Sequence, residues 1–203
     1  MFANVKVLKS MIKSAYKEGI TIEQQYGGLA IYTDFWGVWI TNEDLTNELK
    51  AAVVEVLGAL PGENEAWTCR KGRDAQETFP KSIFDMANIL RIGEEQSFNA
   101  KVTPLLYMQR TERKEIIECR ILQNAKSEQN EIAIINNVFV DWIDKQSKDI
   151  MEGNEQQAIG PRVSMENGIV AWYNDRCVMY CYMRDDSEER TNGMIDTLKQ
   201  RVW

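Results

Sequence analysis

Residues 20–41, ITIEQQYGGLAIYTDFWGVWIT, decide the fold class. The runs ITIEQQY and LAIYTD flank Gly27-Gly28, a dipeptide suited to positive φ in a tight hairpin turn, and WGVWIT follows after a short break at Asp34-Phe35. Strands joined this closely are antiparallel, because parallel neighbours need a long crossover. In the third strand Trp36, Val38 and Ile40 share one face while Phe35, Gly37 and Trp39 share the other. It therefore reads as apolar on both sides, covered by helices or by a partner chain. The same aromatics, with Tyr26 and Tyr32, would also make a stacking platform for single-stranded nucleic acid, although such clusters more commonly form a core or an interface.

Helices flank this meander. Residues 4–17 place Val5, Leu8, Met11, Ile12, Ala15 and Tyr16 on one side at 3.6 residues per turn, with Gly19 just past the end. A second helix is expected from Thr41 as N-cap, with Glu43 and Asp44 in its first turn, Leu45, Leu49, Ala52, Val53 and Val56 on one face, and Gly58 as terminator. EAWTCRKG reads as a strand, 72–80 shows no periodicity, and Pro80 opens a helix through Ser82–Leu90.

GEEQSFNA, residues 93–100, marks a junction, which gives an N-terminal α+β half over 1–95 and a C-terminal α+β half over 96–203, either as two halves or as one continuous pseudo-symmetric domain. In the second half 102–109, 115–122 and 130–135 read as strands. NNVFVDWIDKQSKD reads as a helix through the spacing of Val138, Phe139, Trp142 and Ile143. RVSME and IVAWY flank Asn167-Gly168, a strong hairpin signal, and Asn174-Asp175 leads into RCVMYCYMR. A last helix carries Met194, Ile195, Leu198 and Val202 on one face. The expected fold is α+β, built from antiparallel meanders with helices packed on one face and a helix-βββ-helix-β order roughly repeated.

The second half, NEIAIINNVFVDWIDK followed by GPRVSMENGIVAWYNDRCVMYCYMR, resembles the helix and closing strands of a DNA sliding clamp (processivity factor) domain over residues 100–184. The resemblance implies a non-catalytic ring whose helices line a positively charged hole around duplex DNA, as a phage or mobile element would encode. Independently of it, Lys6, Lys9, Lys13 and Lys17 fall within a sector of about 80° on the first helix. They are the candidate nucleic-acid contacts. The alternative for the stripe is an ordinary solvated helix face. Asp44, Glu48 and Glu55 give the second helix the opposite sign. Arg70, Lys71 and Arg73 form a second small basic group in a loop.

Composition narrows the chemistry. The 203 residues carry 24 basic and 31 acidic side chains, net −7, so attraction to nucleic acid must be local. No histidine is present, which removes Ser-His-Asp and Cys-His nucleophiles, HExxH zinc sites and histidine acid–base catalysis. Cys69, Cys119, Cys177 and Cys181 form no CxxC pair and read as buried thiols; no metal or cofactor is expected. Glu48-x-Lys50 and Glu112-x-Lys114 match an acid-and-lysine nuclease pattern, but about two such matches arise by chance in a chain this rich in both. No phosphate-cradling glycine motif, secretory signal or apolar run of membrane-spanning length occurs, so the expected location is cytoplasmic with no membrane partner.

The expectation is a non-enzymatic, DNA-associated clamp-like accessory protein. The alternative is a self-assembling structural or protein-interaction module with no nucleic-acid role. Six tryptophans and a strand apolar on both faces point to a homo-oligomer, with Trp36, Trp39 and Trp203 as interface candidates.

Overall fold

A computed structural model describes residues 1–80, 97–111, 114–126, 131–144, 159–184 and 188–199. The expected 82–90 helix, Glu112, Val202 and Trp203 lie outside the described residues. The fold is α+β with an 11-stranded antiparallel sheet. Two compact units are formed by Met1–Arg91, Asp141–Ile159 and Trp172–Tyr180, and by Ile92–Val140, Gly160–Ala171 and Cys181–Trp203.

In the first unit, helix α1 spans Val5–Glu18. Asn4 caps it by accepting from the N–H groups of Lys6 and Val7 at 3.2 and 3.4 Å, and Gly19 ends it at φ 135°. Leu8, Met11 and Ile12 form its buried stripe. Strands β1 (Ile20–Gln25), β2 (Gly28–Tyr32) and β3 (Trp36–Thr41) follow as the expected meander.

The β1–β2 turn is Tyr26-Gly27 rather than Gly27-Gly28, with φ of 55° and 68° at the two residues. A two-residue hairpin loop of this kind needs positive φ at both central positions. Gly28 is already paired in β2, opposite Gln25 on one side and Thr41 on the other. Its hydrogen is there for packing. A Cβ on Gly28 would meet the Trp39 ring at 2.5 Å and the Ile40 carbonyl oxygen at 2.7 Å.

β3 is buried from Trp36 through Ile40, as expected of a strand covered on both faces. Phe35 departs from its expected place, since it lies in the turn before the strand and is exposed. Thr41 ends β3 instead of capping a helix: it is paired with Gly28, its N–H donates to the Arg176 carbonyl at 2.9 Å, and its carbonyl accepts from the Asp44 N–H at 3.1 Å in a turn. Helix α2 (Asn47–Leu57) is capped by Thr46, whose hydroxyl accepts from the Leu49 N–H at 3.3 Å. Gly58 ends α2 in the left-handed region at φ 92°. Leu49, Ala52 and Val53 are buried, and α2 packs against α1. Strands β4 (Ala66–Cys69) and β5 (Gln76–Thr78) extend the meander beyond β1, and β5 lies in the stretch that lacked periodicity.

Trp142 belongs to this unit and is fully buried. It packs edge-to-face with Trp36 at 5.7 Å and donates its indole N–H to the Met11 sulfur. The expected 136–149 helix is, among the described residues, a 3-10 helix at Asn137–Trp142. The physical reason is competition for backbone partners. The Trp142 carbonyl accepts from the Asn4 N–H, the Asp144 N–H donates to the Phe2 carbonyl at 2.8 Å, and Ile143 bridges to Ala3.

The second unit contains β6 (Ser97–Arg110), β7 (Ile116–Asn124) and β8 (Ile132–Asn136), paired in series. β9 (Ile159–Ser164), β10 (Ile169–Asn174) and β11 (Cys177–Tyr182) complete the sheet. The strand order is β5-β4-β1-β2-β3-β11-β10-β9-β6-β7-β8. A register shift between Val102 and Leu106 is pinned by Thr103, which is buried and donates to the Ile121 carbonyl at 2.8 Å. Helix α3 (Glu188–Lys199) lays Met194, Ile195 and Leu198 over Leu105, Ile121 and Ile132. No helix of the described residues is long and apolar enough to cross a membrane.

Candidate interaction surfaces

The lysine stripe lies where the helix period placed it, but half of it is engaged within the chain. Lys9 pairs with Glu48 at 3.2 Å and Lys13 with Glu55 at 2.9 Å. The packing of α1 on α2 makes the acidic polar face of one helix the counterpart of the basic face of the other. Asp44, expected on that acidic face, lies before α2 and meets Arg176 at 3.4 Å. Lys6 and Lys17 are exposed and make no ion pair with a described residue.

Arg70, Lys71 and Arg73 are exposed in the turn after β4, which Gly72 closes at φ 77°. The Lys71 N–H donates to the Tyr16 carbonyl at 2.8 Å. This bond brings the second basic group to the C-terminal end of α1, beside Lys17. Sequence separation had kept the two groups apart; a helix end with free carbonyls is the local signal for such a partner.

Trp36 and Trp39 are 6% and 4% exposed, covered by the chain itself. The Trp39 indole N–H donates to the Gln25 carbonyl at 3.2 Å. All four cysteines are buried, and burial raises the thiol pKa of Cys69 and raises that of Cys181 strongly. Neutral, inaccessible thiols are poor nucleophiles and poor metal ligands. No group of three or more Cys, Asp or Glu is placed to hold a metal ion among the described residues.

A surface absent from the sequence reading lies on the β6–β7 ribbon. Leu106 faces Arg120, Met108 faces Glu118 and Arg110 faces Ile116 across the ladder, so these six side chains share one face. Leu106, Met108 and Ile116 are 50%, 59% and 67% exposed. The neighbouring polar groups are fixed. Asn137 accepts from the Arg120 Nε at 2.8 Å and donates to Glu118 at 2.6 Å, and Arg120 also donates to the Thr103 carbonyl at 3.2 Å. The opposite face of the ribbon is covered by α3 at Leu105 and Ile121. The sequence signal was present in the consecutive apolar residues Leu105, Leu106 and Tyr107, Met108, which suit a strand covered on both sides.

Geometry therefore offers an apolar ribbon face and a basic corner. Compared with known proteins, the chain matches no family model, and no curated protein matches its sequence.

Proposed function

We propose that the chain is a non-catalytic protein-interaction module that self-assembles. The observation that carries this reading is the exposed trio Leu106, Met108 and Ile116 on one face of β6–β7. Grouped apolar side chains on a rigid ribbon, rimmed by fixed polar groups, are the anatomy of a protein contact surface. Isolated exposed hydrophobic residues would carry no such weight. Sedimentation of the purified chain at tens of micromolar, where a weak interface is occupied, is expected to show a homo-oligomer. The variant I116K is expected to dissociate it with an unchanged circular dichroism spectrum. A wild-type chain that stays monomeric overturns the reading.

A second reading, association with duplex DNA as the clamp resemblance implies, is supported by the basic corner of Lys17, Arg70, Lys71 and Arg73. Phosphate contacts there are free of the α2 carboxylates, whereas Lys9 and Lys13 are not. Exchange of the four corner residues for Gln is expected to weaken duplex binding more than K9Q/K13Q. Equal affinity in both variants removes this reading.

A further inference from the structure

Among the described residues the ribbon that carries the exposed trio also has an open edge. Among the described residues β9 pairs with β6 only at Ser97–Asn99, and no strand pairs with the other edge of residues 104–110. The direction of each peptide group along this edge follows from the hairpin end. The Thr111 N–H donates to the Glu115 carbonyl at 2.8 Å, so that pair is a hydrogen-bonded one. Pairs alternate along an antiparallel ladder. Tyr107 and Gln109 therefore bond inward to Cys119 and Ile117, while Leu106, Met108 and Arg110 turn their N–H and C=O groups outward.

Edge strands of this kind are normally blunted by proline, bulges or charge. Here Pro104 and the register shift between Val102 and Leu106 guard only the first part. What remains is a five-residue edge, Leu106–Arg110, with three outward peptide groups and a single charge at one end.

We infer that this edge pairs with the same edge of a second copy, antiparallel and two-fold symmetric about Met108. The inference rests on the self-assembly reading and names its contact. In that register Met108 faces Met108 of the second copy, and Leu106 faces Arg110 of the second copy in both directions. Every outward N–H and C=O of the edge then finds a partner. The choice of a second copy follows from this self-complementarity: an odd number of outward residues centred on an apolar one satisfies a two-fold axis. Sliding the axis by two residues towards the hairpin end would set the two Arg110 side chains opposite one another, which like-charge repulsion opposes. Ile116, which faces Arg110 within each copy, extends the apolar strip across both ribbons.

Cysteine crosslinking tests the register. Directly opposed residues of a hydrogen-bonded antiparallel pair have Cα atoms about 5.5 Å apart, within the span a disulfide accepts. M108C is expected to form a covalent dimer under mild oxidation. A mixture of L106C chains and R110C chains is expected to crosslink, while L106C alone does not. The native cysteines are buried and do not compete. L106K, which sets a second cation against Arg110 of the other copy, is expected to weaken association at least tenfold with an unchanged spectrum. A wild-type chain that is monomeric at tens of micromolar, the range in which a weak interface is occupied, overturns both the inference and the self-assembly reading. An oligomer in which neither M108C nor the L106C–R110C mixture crosslinks overturns the inference alone.

Discussion

Replacing Glu48 and Glu55 by Gln removes the acceptors of Lys9 and Lys13 while keeping side-chain length and good helix propensity. The two ion pairs measure 3.2 and 2.9 Å, with side chains 35% and 65% exposed in the first and 51% and 61% in the second. At such distances in water Coulomb attraction is about 1.4 kcal/mol. Side-chain ordering and salt reduce it, so each pair contributes about 0.2–1 kcal/mol. The double variant should therefore lose no more than about 2 kcal/mol in urea unfolding. The double-mutant cycle between K9Q and E48Q should show a coupling of a few tenths of a kcal/mol that shrinks in 1 M salt. A larger consequence concerns polyanions. Two released lysines add two phosphate contacts, steepening the slope of log K against log salt by about 0.9 each, or roughly 1.8 in all. Fluorescence anisotropy with a labelled duplex between about 50 and 200 mM salt reads this slope directly. A coupling of zero, together with a slope that E48Q/E55Q leaves unchanged, would refute the claim that α2 holds these lysines.

Three further outcomes follow from the fold. Thr46→Ala removes the α2 cap and should cost about 1 kcal/mol, a fall in melting temperature of about 2–4 °C for a chain of this size. Thr41→Ala should leave the helix cap untouched, so equal helix loss in both variants would contradict the boundary at Thr46. Gly28→Ala forces a Cβ against the Trp39 ring and the Ile40 carbonyl and should cost about 1–3 kcal/mol, with partial recovery in combination with W39F. Burial raises the Cys181 and Cys69 pKa values in the folded state, so the folded chain holds these protons where the unfolded chain has released them. Stability is fully present below pH 9, the ordinary thiol value, and falls above it by up to about 1.4 kcal/mol per pH unit for each thiol. C181A should flatten that alkaline fall, and an identical pH profile in both proteins would contradict the assignment.

Much of the fold was legible because the signals were local. The 4–17 periodicity with Gly19 and the two strands on either side of Gly27 lie within a few residues of what they specify, and Asn167-Gly168 is the second half of a turn over 165–168 that takes Met165 and Glu166 out of the expected strand. The misreadings share one cause, which is that a distant segment decided between two local options. Thr41-Asn42-Glu43 and Thr46-Asn47-Glu48 are the same tripeptide, and either suits a helix start. Pairing of Thr41 with Gly28 and its bond to Arg176 make the first a strand end. Gly28 looked like half of a turn because its requirement for hydrogen comes from Trp39. Residues 137–142 kept their apolar spacing but gave their backbone partners to Phe2–Asn4. β5 is three residues long and largely exposed, so no pattern announced it. For the candidate sites, the lysine stripe could be read and the pairing of Lys9 with Glu48 and of Lys13 with Glu55, 39 and 42 residues on, could not. The β6 edge, open among the described residues, was hidden because an unpaired strand edge is a property of the sheet, and its residues look the same wherever the sheet stops.

The bridge between Phe2–Asn4 and Trp142–Asp144 bears on how the chain is made. A ribosome delivers α1 early, yet the tryptophan that fills the space between Met11 and Trp36 emerges more than a hundred residues later, and Trp172–Tyr180 of the same unit later still. The nascent meander must wait with Met11 and Trp36 incompletely covered. Long-range closure of this kind slows folding and lengthens exposure to aggregation. Truncation anywhere before Trp142 should thus yield an insoluble product.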